Sequence, residues 1–550
     1  MILGAVWERE VMVAPRTRGL YVARCLAAAT LLGIIATCWL VVTGSQAVTT
    51  IGDTARFGAT LLRILAPLQL VLAVLAAALT AVLAVGIEKD RRTLELLLVS
   101  RLSDAQLVLG KLAGSLLRVG LLLVAAAPLF AVASLFGGVT PPQLLRLFLV
   151  TAAAAVAAAS IGNAAGFWRD TTFQALSITA ALLIAWLVIG EVAAAVGDPL
   201  IAATVSPARA AFAALTPGGG QTLAGFLSIA IGIAAVTSGL TVLRVRRWNT
   251  ASEPRTKATA VVDGRRRAVW ANPILWREIC TRAQGRAMTL VRIAWLAVFV
   301  AAVTGVVLEA GKDRPDRFAV AAAVVPVVLA SLLAVAALAV TSVTGERDRG
   351  TLDLLLVSDL EPAEFVWGKL LGVLAAAREM VVLPLVLCGA LVPLGITTVE
   401  HGFYLVVGLA LVSFFVTVLG LYAGLTHAVS RQAIAITLGI VAFLSVGVAT
   451  AMRIMVAFGG SFELQLAPFL AAIVGGGVGL YAALSARNPS PAVGWASALL
   501  PALTFVAITG FLQGSLLQVF LVVSVAYGFA TLALLIPSIA AFDLLTGRSE

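Results

Sequence analysis

The sequence is poor in charge. Asp, Glu, Lys and Arg together make up 12% of the 550 residues, whereas hydrophobic residues make up 61% and the mean hydropathy is +1.06. A soluble domain normally carries about 25% charged residues, so a soluble protein of this composition would lack the polar surface that it needs in water. Apolar runs of about 20 residues, long enough to cross a bilayer, recur along the whole chain. We therefore expect an all-α polytopic membrane protein.

Residues that bind metals or catalyse reactions are also scarce. The four cysteines show no C-x-x-C spacing and the two histidines are far apart, which argues against a metal site or a disulfide framework. The motifs G-x-S-x-G and H-E-x-x-H do not occur. The three Gly-Lys pairs are followed by Leu, Asp and Leu, so none completes the phosphate-binding motif G-x-x-x-x-G-K-[ST]. We expect no catalytic residue, metal or cofactor in this chain.

The positive charge follows the membrane topology. The formal net charge is +11, and most of the 38 lysine and arginine residues fall in segments that alternate spans place on one side. This is the positive-inside pattern, which predicts that both termini are cytoplasmic. Basicity therefore reports orientation in the membrane and does not indicate a nucleic-acid partner.

The apolar runs divide the chain into two tandem halves of six-span type. Residues 1–245 form the first half, 246–272 a basic cytoplasmic linker and 273–550 the second half. After residue 457, apolar segments near 465–485, 492–511 and 517–543 leave two alternatives: two additional spans, or one or two re-entrant segments. The total is 12–14 spans, and halves of equal orientation predict a pseudo-twofold axis along the membrane normal.

A basic segment precedes the first span of each half. Arg9-Glu10 and Arg277-Glu278 correspond at an offset of 268 residues, and Leu, Ile, Val and Trp lie among the charges. An interfacial helix with its apolar face in lipid has this composition. The alternative is a plain extension of the first span into the cytoplasm.

The strongest signal is a loop that occurs twice. From Glu88 the chain reads EKDRRTLELLLVSRLSDAQLVLGKLAGSL, and from Glu346 it reads ERDRGTLDLLLVSDLEPAEFVWGKLLGVL. The two segments are identical at 18 of 29 positions without a gap. This similarity predicts a task that both loops share.

Each loop is predicted to contain a short helix, a turn and the start of a span. Leu94, Leu97 and Leu98 have the spacing of one helical face, and Ser103 with Gln106 forms a capping box. Pro362 and Glu364 suit the first turn of a helix in the second copy. The leucines either dock a partner protein, as apolar surface outside the lipid often does, or pack against neighbouring helix ends.

These loops resemble the signature loop of ABC-2-type transporter permeases, the membrane subunits of a class of ATP-binding-cassette exporters. That loop reads E-x-x-x-G-T-L-E-x-L-L-x-x-P-[LI]-S with a following G-K, and an interfacial helix precedes the first span. Arg92, Arg101 and Asp359 depart from the pattern. The resemblance implies that both loops are coupling helices for an ATPase, and the implied coupling residues are Glu88, Thr93, Leu94, Glu95, Leu97, Leu98, Gly110, Lys111, Glu346, Gly350, Thr351, Leu352, Asp353, Leu355, Leu356, Gly368 and Lys369.

The resemblance also implies partners and a location. It implies a separate cytoplasmic ABC ATPase, in two copies, which would hold ATP and Mg²⁺, and it implies export of an unidentified substrate across a bacterial plasma (inner) membrane. Two alternatives remain, namely an ion-coupled secondary transporter and a membrane anchor that recruits an ATPase without transporting anything.

Two charges near the outer ends of corresponding spans invite a second hypothesis. Glu191 and Arg453 each lie 22 residues beyond a cytoplasmic arginine, Arg169 and Arg431 respectively. Ionisable residues in spans are functional candidates, and this pair could form an outer gate between the halves. The alternative is that each side chain reaches the outer interface by itself.

Overall fold

The computed structural model is helical throughout the residues that it describes. These residues are 4–13, 18–45, 50–90, 93–196, 199–249, 270–280, 287–311, 317–348, 350–458, 462–485 and 490–546. Most of the predicted linker, residues 250–269, lies outside them. The predicted all-α membrane fold is confirmed.

The first half runs from the short helix α1 to the long helix α10. Its helices are α1 (Gly4–Val13), α2 (Arg18–Ser45), α3 (Ile51–Asp90), α4 (Leu94–Val99), α5 (Asp104–Leu135), α6 (Pro141–Trp168), α7 (Thr172–Val196), α8 (Pro199–Val205), α9 (Pro207–Ala214) and α10 (Gly220–Trp248). The helix α10 extends into the segment assigned to the linker, because Arg246 and Arg247 form its last turn.

The second half repeats this order and then adds helices. Its helices are α11 (Pro273–Cys280), α12 (Ala287–Ala310), α13 (Arg317–Asp348), α14 (Thr351–Leu356), α15 (Pro362–Ala376), α16 (Arg378–Ala390), α17 (Val399–Thr426), α18 (Ser430–Phe458), α19 (Phe462–Leu484), α20 (Pro491–Leu512), α21 (Leu516–Ala540) and α22 (Phe542–Thr546). The pair α15 and α16 corresponds to the continuous α5 but bends by 62°.

Twelve described helices are long and apolar enough to cross a membrane, and the bent pair α15–α16 makes thirteen. The helix α19 has 23 residues, and the Tyr422 hydroxyl at the end of α17 donates to the Leu484 carbonyl at the end of α19. Of the segments left open after residue 457, α20 and α21 are among the twelve, whereas the apolar helix over Phe469–Leu484 within α19 is shorter. In the first half, α8 and α9 are short helices of 7 and 8 residues.

Glycine pairs hold the corresponding helices together in both halves. Gly162 and Gly166 bring α6 onto α3, where a Cβ at Gly162 would lie 2.9 Å from the Ala78 carbonyl oxygen. Gly420 and Gly424 bring α17 onto α13 in the same way, with 2.6 Å to the Ala339 Cβ. Small residues four apart allow such close approach between membrane helices. This spacing, repeated at an offset of 258, is a second sequence signal of the duplication.

The two halves share one packed interior. The helix α7 packs against α12 and α13, α18 packs against α3, and α19 covers α2. A small buried cluster joins α3 to α13 and α18 through Leu83, Val340, Ala433 and Ile434. We call the end of the bundle that carries α4 and α14 the loop end, and the opposite end the far end.

Candidate functional site

In each repeated loop a threonine bonds back to the end of the preceding long helix. The hydroxyls of Thr93 and Thr351 donate to the carbonyls of Glu88 and Glu346, at 3.2 and 3.1 Å. In the second copy Gly350 precedes α14 with φ of +69°, a left-handed conformation that glycine adopts without strain. The repeated threonine therefore sets the angle between the long helix and the short one.

Helix caps begin the segment after each short helix. Ser103 and Gln106 form the predicted capping box at the start of α5. Glu361 and Glu364 form one at the start of α15, with Pro362 at the first helical position. The predicted start of the returning helix is confirmed in both copies.

The predicted leucine face of each short helix is packed against the protein, and other apolar side chains are exposed. Leu94 and Leu352 are 3% exposed, and Leu97, Leu98, Leu355 and Leu356 pack against the ends of the long helices. Packing against neighbouring helix ends therefore accounts for the predicted leucine face. The exposed apolar side chains are Leu96, Val99, Leu354 and Val357, with exposed fractions of 73%, 87%, 74% and 85%.

A partly buried ion cluster connects the second loop to α11 and α15. The Lys369 ammonium is 2% exposed and lies 2.8 Å from Glu346 and 2.7 Å from Glu278. Arg277 bonds to Glu346 and lies 3.1 Å from Glu278. Burial opposes the charge of Arg277, but the two carboxylates outweigh it and raise its pKa. The cluster thus unites both residues of the predicted interfacial helix with both ends of the loop.

The first half builds a related but divided arrangement. Lys111 pairs with Glu88, and Glu10 of α1 pairs with Arg118 of α5 at 2.6 Å. Arg9 is exposed. In the first copy, therefore, one ion pair joins the loop to α5 and a separate ion pair joins α1 to α5.

A glycine in each half receives the glutamate of the short N-terminal helix. A Cβ on Gly372 of α15 would lie 2.7 Å from the Glu278 Cβ, and one on Gly114 of α5 would lie 2.8 Å from the Glu10 Cγ. A Cβ on Gly368 would likewise lie 2.8 Å from the Ile274 Cβ. The helices α1 and α11 therefore lie directly on α5 and α15.

Basic residues beside the two loop glutamates cap another helix, a role that the sequence reasoning missed. Lys89 donates to the carbonyls of Phe167 and Arg169 at the end of α6. Arg347 donates to those of Leu425 and His427 at the end of α17. Cations at a helix C-terminus satisfy its free carbonyls. The sequence signal for this role is the basic residue that directly follows the loop glutamate in both copies.

A further arginine ties the first loop to α10. The Arg246 guanidinium lies 2.6 Å from Asp104, at the start of α5, and 3.4 Å from the carbonyls of Leu98 and Leu102. The loop is consequently held between α10 and α5.

The hypothesised outer gate does not form in this structure. Glu191 binds Arg209 of α9 through a bidentate ion pair, with a shortest contact of 2.6 Å. Arg453 instead donates to the Arg63 carbonyl of α3 at 3.0 Å. Here α9 supplies the cation that binds Glu191, and an outer gate formed by Glu191 and Arg453 stays a prediction.

The ion cluster predicts a pH dependence of stability. Burial disfavours the charge of Glu278, but Lys369 and Arg277 outweigh it and lower the pKa of this carboxyl. Such a carboxyl stabilises the folded state above its unfolded-state pKa of about 4.3, and this contribution is lost as the pH falls through the lower folded-state value. We expect Glu278→Gln to lower the Tm at pH 7 and the difference from wild type to shrink toward pH 3.

Thermal unfolding of the detergent-solubilised protein at pH 7, 5, 4 and 3 measures this difference. Glu95→Gln, at an exposed position of α4, serves as the control and should leave the Tm unchanged. A difference between wild type and Glu278→Gln that stays constant down to pH 3 would contradict the prediction.

The fold and the site together define a polytopic helical membrane protein with two braced loops at one end of the bundle. Residues 273–449, from α11 into α18, match the family model of the ABC-2 type transporter. Over these residues the second half is therefore similar to the membrane domain of ABC-2 type transporters. No curated protein matches the sequence.

Proposed function

We propose that this chain is a permease made of two fused ABC-2-type halves. It would export an unidentified substrate with ATP hydrolysed by two copies of a separate cytoplasmic ATPase. The observation that carries the proposal is the first loop, which matches the loop of the ABC-2 domain at 18 of 29 positions. The shared Glu–Lys pairs and threonine turns add to this support.

The exposed apolar pairs Leu96/Val99 and Leu354/Val357 are the proposed contact surface for the ATPase. Each pair lies on the outward face of a short helix, next to an exposed carboxylate, Glu95 or Asp353. The positive-inside pattern predicts that this end is cytoplasmic, away from lipid. An apolar surface there is stabilised when a partner covers it.

The ion pairs would transmit movement of the loops to the long helices. Glu88 and Glu346 lie in the last turns of α3 and α13, and each is bound to the lysine of the returning helix. Because α3 and α13 both contact the opposite half, displacement of α4 and α14 would change how the halves pack. The proposed mechanism is a rocking of the halves driven by the ATPase.

An ion-coupled carrier is less well supported by the same contacts. Two carboxylates near span ends, Glu191 and Glu379, could couple an ion, and each has an arginine partner. Glu191 binds Arg209, and Glu379 binds Arg378 at 2.9 Å and lies 3.4 Å from Arg292. A coupling carboxylate has to exchange its ion during transport, and these ion pairs disfavour that exchange.

The contact surface can be tested by substitution. We expect Leu96→Ser/Val99→Ser or Leu354→Ser/Val357→Ser to weaken retention of ATPase activity on the tagged, solubilised protein, because each removes one apolar pair. The fourfold variant should abolish retention. The measurement is ATP hydrolysis recovered with the purified protein from its native membranes.

The matched control replaces exposed apolar residues at the far end, Val399→Ser/Leu517→Ser, and should retain full activity. ATPase retention by the fourfold variant would refute the proposed contact surface. If wild type retains the ATPase but moves no substrate in reconstituted vesicles, the result would favour a non-transporting anchor.

A further inference from the structure

A cavity of about 580 Å³ lies between the two halves near the far end. We call it the inter-half cavity. Its walls come from α3 of the first half and from α13, α16, α17 and α18 of the second, and they are mostly apolar, including Pro67, Val71, Val328, Leu332, Gly408 and Ala449. The volume lies within the range of about 300–1,000 Å³ that small-molecule sites occupy.

One cation, Arg453 of α18, lines this apolar cavity. Its guanidinium reaches across to the Arg63 carbonyl of α3 at 3.0 Å. That carbonyl is free within α3 because its helical partner would be the N–H of residue 67, and residue 67 is a proline without an N–H. Pro67 therefore provides the contact that holds Arg453 at the cavity wall.

The Arg453 guanidinium keeps unused hydrogen-bonding capacity. It has five N–H donors, and its bond to α3 uses one of them. No carboxylate of the described residues pairs with it, since Glu191 binds Arg209 and Glu400 accepts from the Tyr404 hydroxyl at 2.6 Å. The Phe212 ring, with its centroid 5.4 Å away, covers the guanidinium on one side. The cavity thus combines an apolar body with one unneutralised positive charge.

We propose that the inter-half cavity binds an amphiphile with an apolar body and a single anionic head, and that Arg453 binds the head. The proposal that this amphiphile is the exported substrate rests on the transport function proposed above. Val325 and Leu405 at the rim are exposed, which gives the apolar body a route from the surrounding lipid. Either an anionic membrane lipid or a free alkyl anion has the required chemistry.

Binding can be measured with the full chain in phosphatidylcholine nanodiscs. The probes are dodecyl phosphate, 1-dodecanol and dodecyltrimethylammonium, titrated by calorimetry. We expect saturable binding of one dodecyl phosphate per chain and weaker binding of the neutral and cationic probes. Arg453→Gln should weaken dodecyl phosphate binding by about tenfold or more, because it removes charge-assisted hydrogen bonds, and should leave dodecanol binding unchanged.

A pair of glycine substitutions tests the cavity separately from the charge. A Cβ on Gly408 meets open space, so Gly408→Phe should fold, fill the cavity and abolish binding of all three probes. Gly232 of α10 also faces open space but does not line the cavity, so Gly232→Phe should bind like wild type. Arg453→Lys, which keeps the charge, should retain part of the affinity for dodecyl phosphate and shows that the site is still folded.

Mass spectrometry of lipids retained by the purified protein distinguishes the sources. An anionic lipid retained by wild type and lost in Arg453→Gln identifies a membrane lipid as the ligand, and binding of added dodecyl phosphate alone identifies a free alkyl anion. Equal affinity for the anionic and cationic probes would overturn the proposal, as would undiminished binding by Arg453→Gln or Gly408→Phe.

This proposal and the proposed function can fail independently. If wild type retains the ATPase but binds none of the probes, the ligand site is contradicted and the proposed function is not. If wild type binds the probes but retains no ATPase, the ligand site stands and its role in ATP-driven export is contradicted.

Discussion

Lys369→Met is expected to destabilise the second half by about 3–5 kcal/mol, the usual cost of removing one partner from a buried ion pair. Lys369 is 2% exposed and binds both Glu278 and Glu346. Methionine fills similar space without the charge, so the two carboxylates would share Arg277 alone. A lower Tm of the purified protein, and release of α11 seen as faster amide exchange over 273–280, measure the effect.

The corresponding substitution in the first half is the matched control. Lys111 is 8% exposed and pairs with Glu88, while Glu10 pairs with Arg118. Lys111→Met leaves one carboxylate without its cation and should therefore lower the Tm by less. Equal losses from both variants would show that the four-residue cluster adds nothing beyond a single pair.

Gly372→Leu is expected to displace α11 from α15 and to disrupt the same cluster. A Cβ at this position would lie 2.7 Å from the Glu278 Cβ, a distance that neither helix can accommodate without moving. Overpacking alone costs about 1–3 kcal/mol, and loss of the contacts of Glu278 adds to it. We expect a lower Tm and, if the loops couple to an ATPase, less ATPase activity retained.

A glycine that faces open space tests whether the effect is steric. Gly439 of α18 has no atom within 4 Å of its ideal Cβ, and leucine is a better helix former than glycine. Gly439→Leu should therefore keep or raise the Tm. Gly114→Leu should behave like Gly372→Leu, since the Glu10 Cγ lies 2.8 Å away. A Gly372→Leu protein as stable as wild type would contradict the close packing of α11.

Features that depend on local sequence were predictable. Ser103 and Gln106 are three residues apart, so the capping box needs only the backbone of its own helix. The spans follow from the length of apolar runs, because an unsatisfied backbone is costly in lipid and helices satisfy it internally. The match of the loops at Glu88 and Glu346 likewise requires no knowledge of their neighbours.

Features that depend on distant residues were not predictable in the same way. Leu94, Leu97 and Leu98 share a helical face, but only the positions of α5 and α10 decide that this face is buried and that Leu96 and Val99 are exposed. The sequence does not determine which cation pairs with Glu191, and the position of α9 in the fold makes Arg209 the partner. The contact between Arg453 and the Arg63 carbonyl joins residues 390 positions apart.

The sequence by itself determined that this chain is a helical membrane protein and that one loop segment occurs twice with a shared local structure. Composition, periodicity and short-range caps carry this information because they act within one helix or between adjacent ones. The tertiary structure decided which charges pair, which leucines remain exposed and where the inter-half cavity lies. These outcomes depend on close packing between helices far apart in the chain, where an added Cβ or a missing proline N–H changes which atoms can meet.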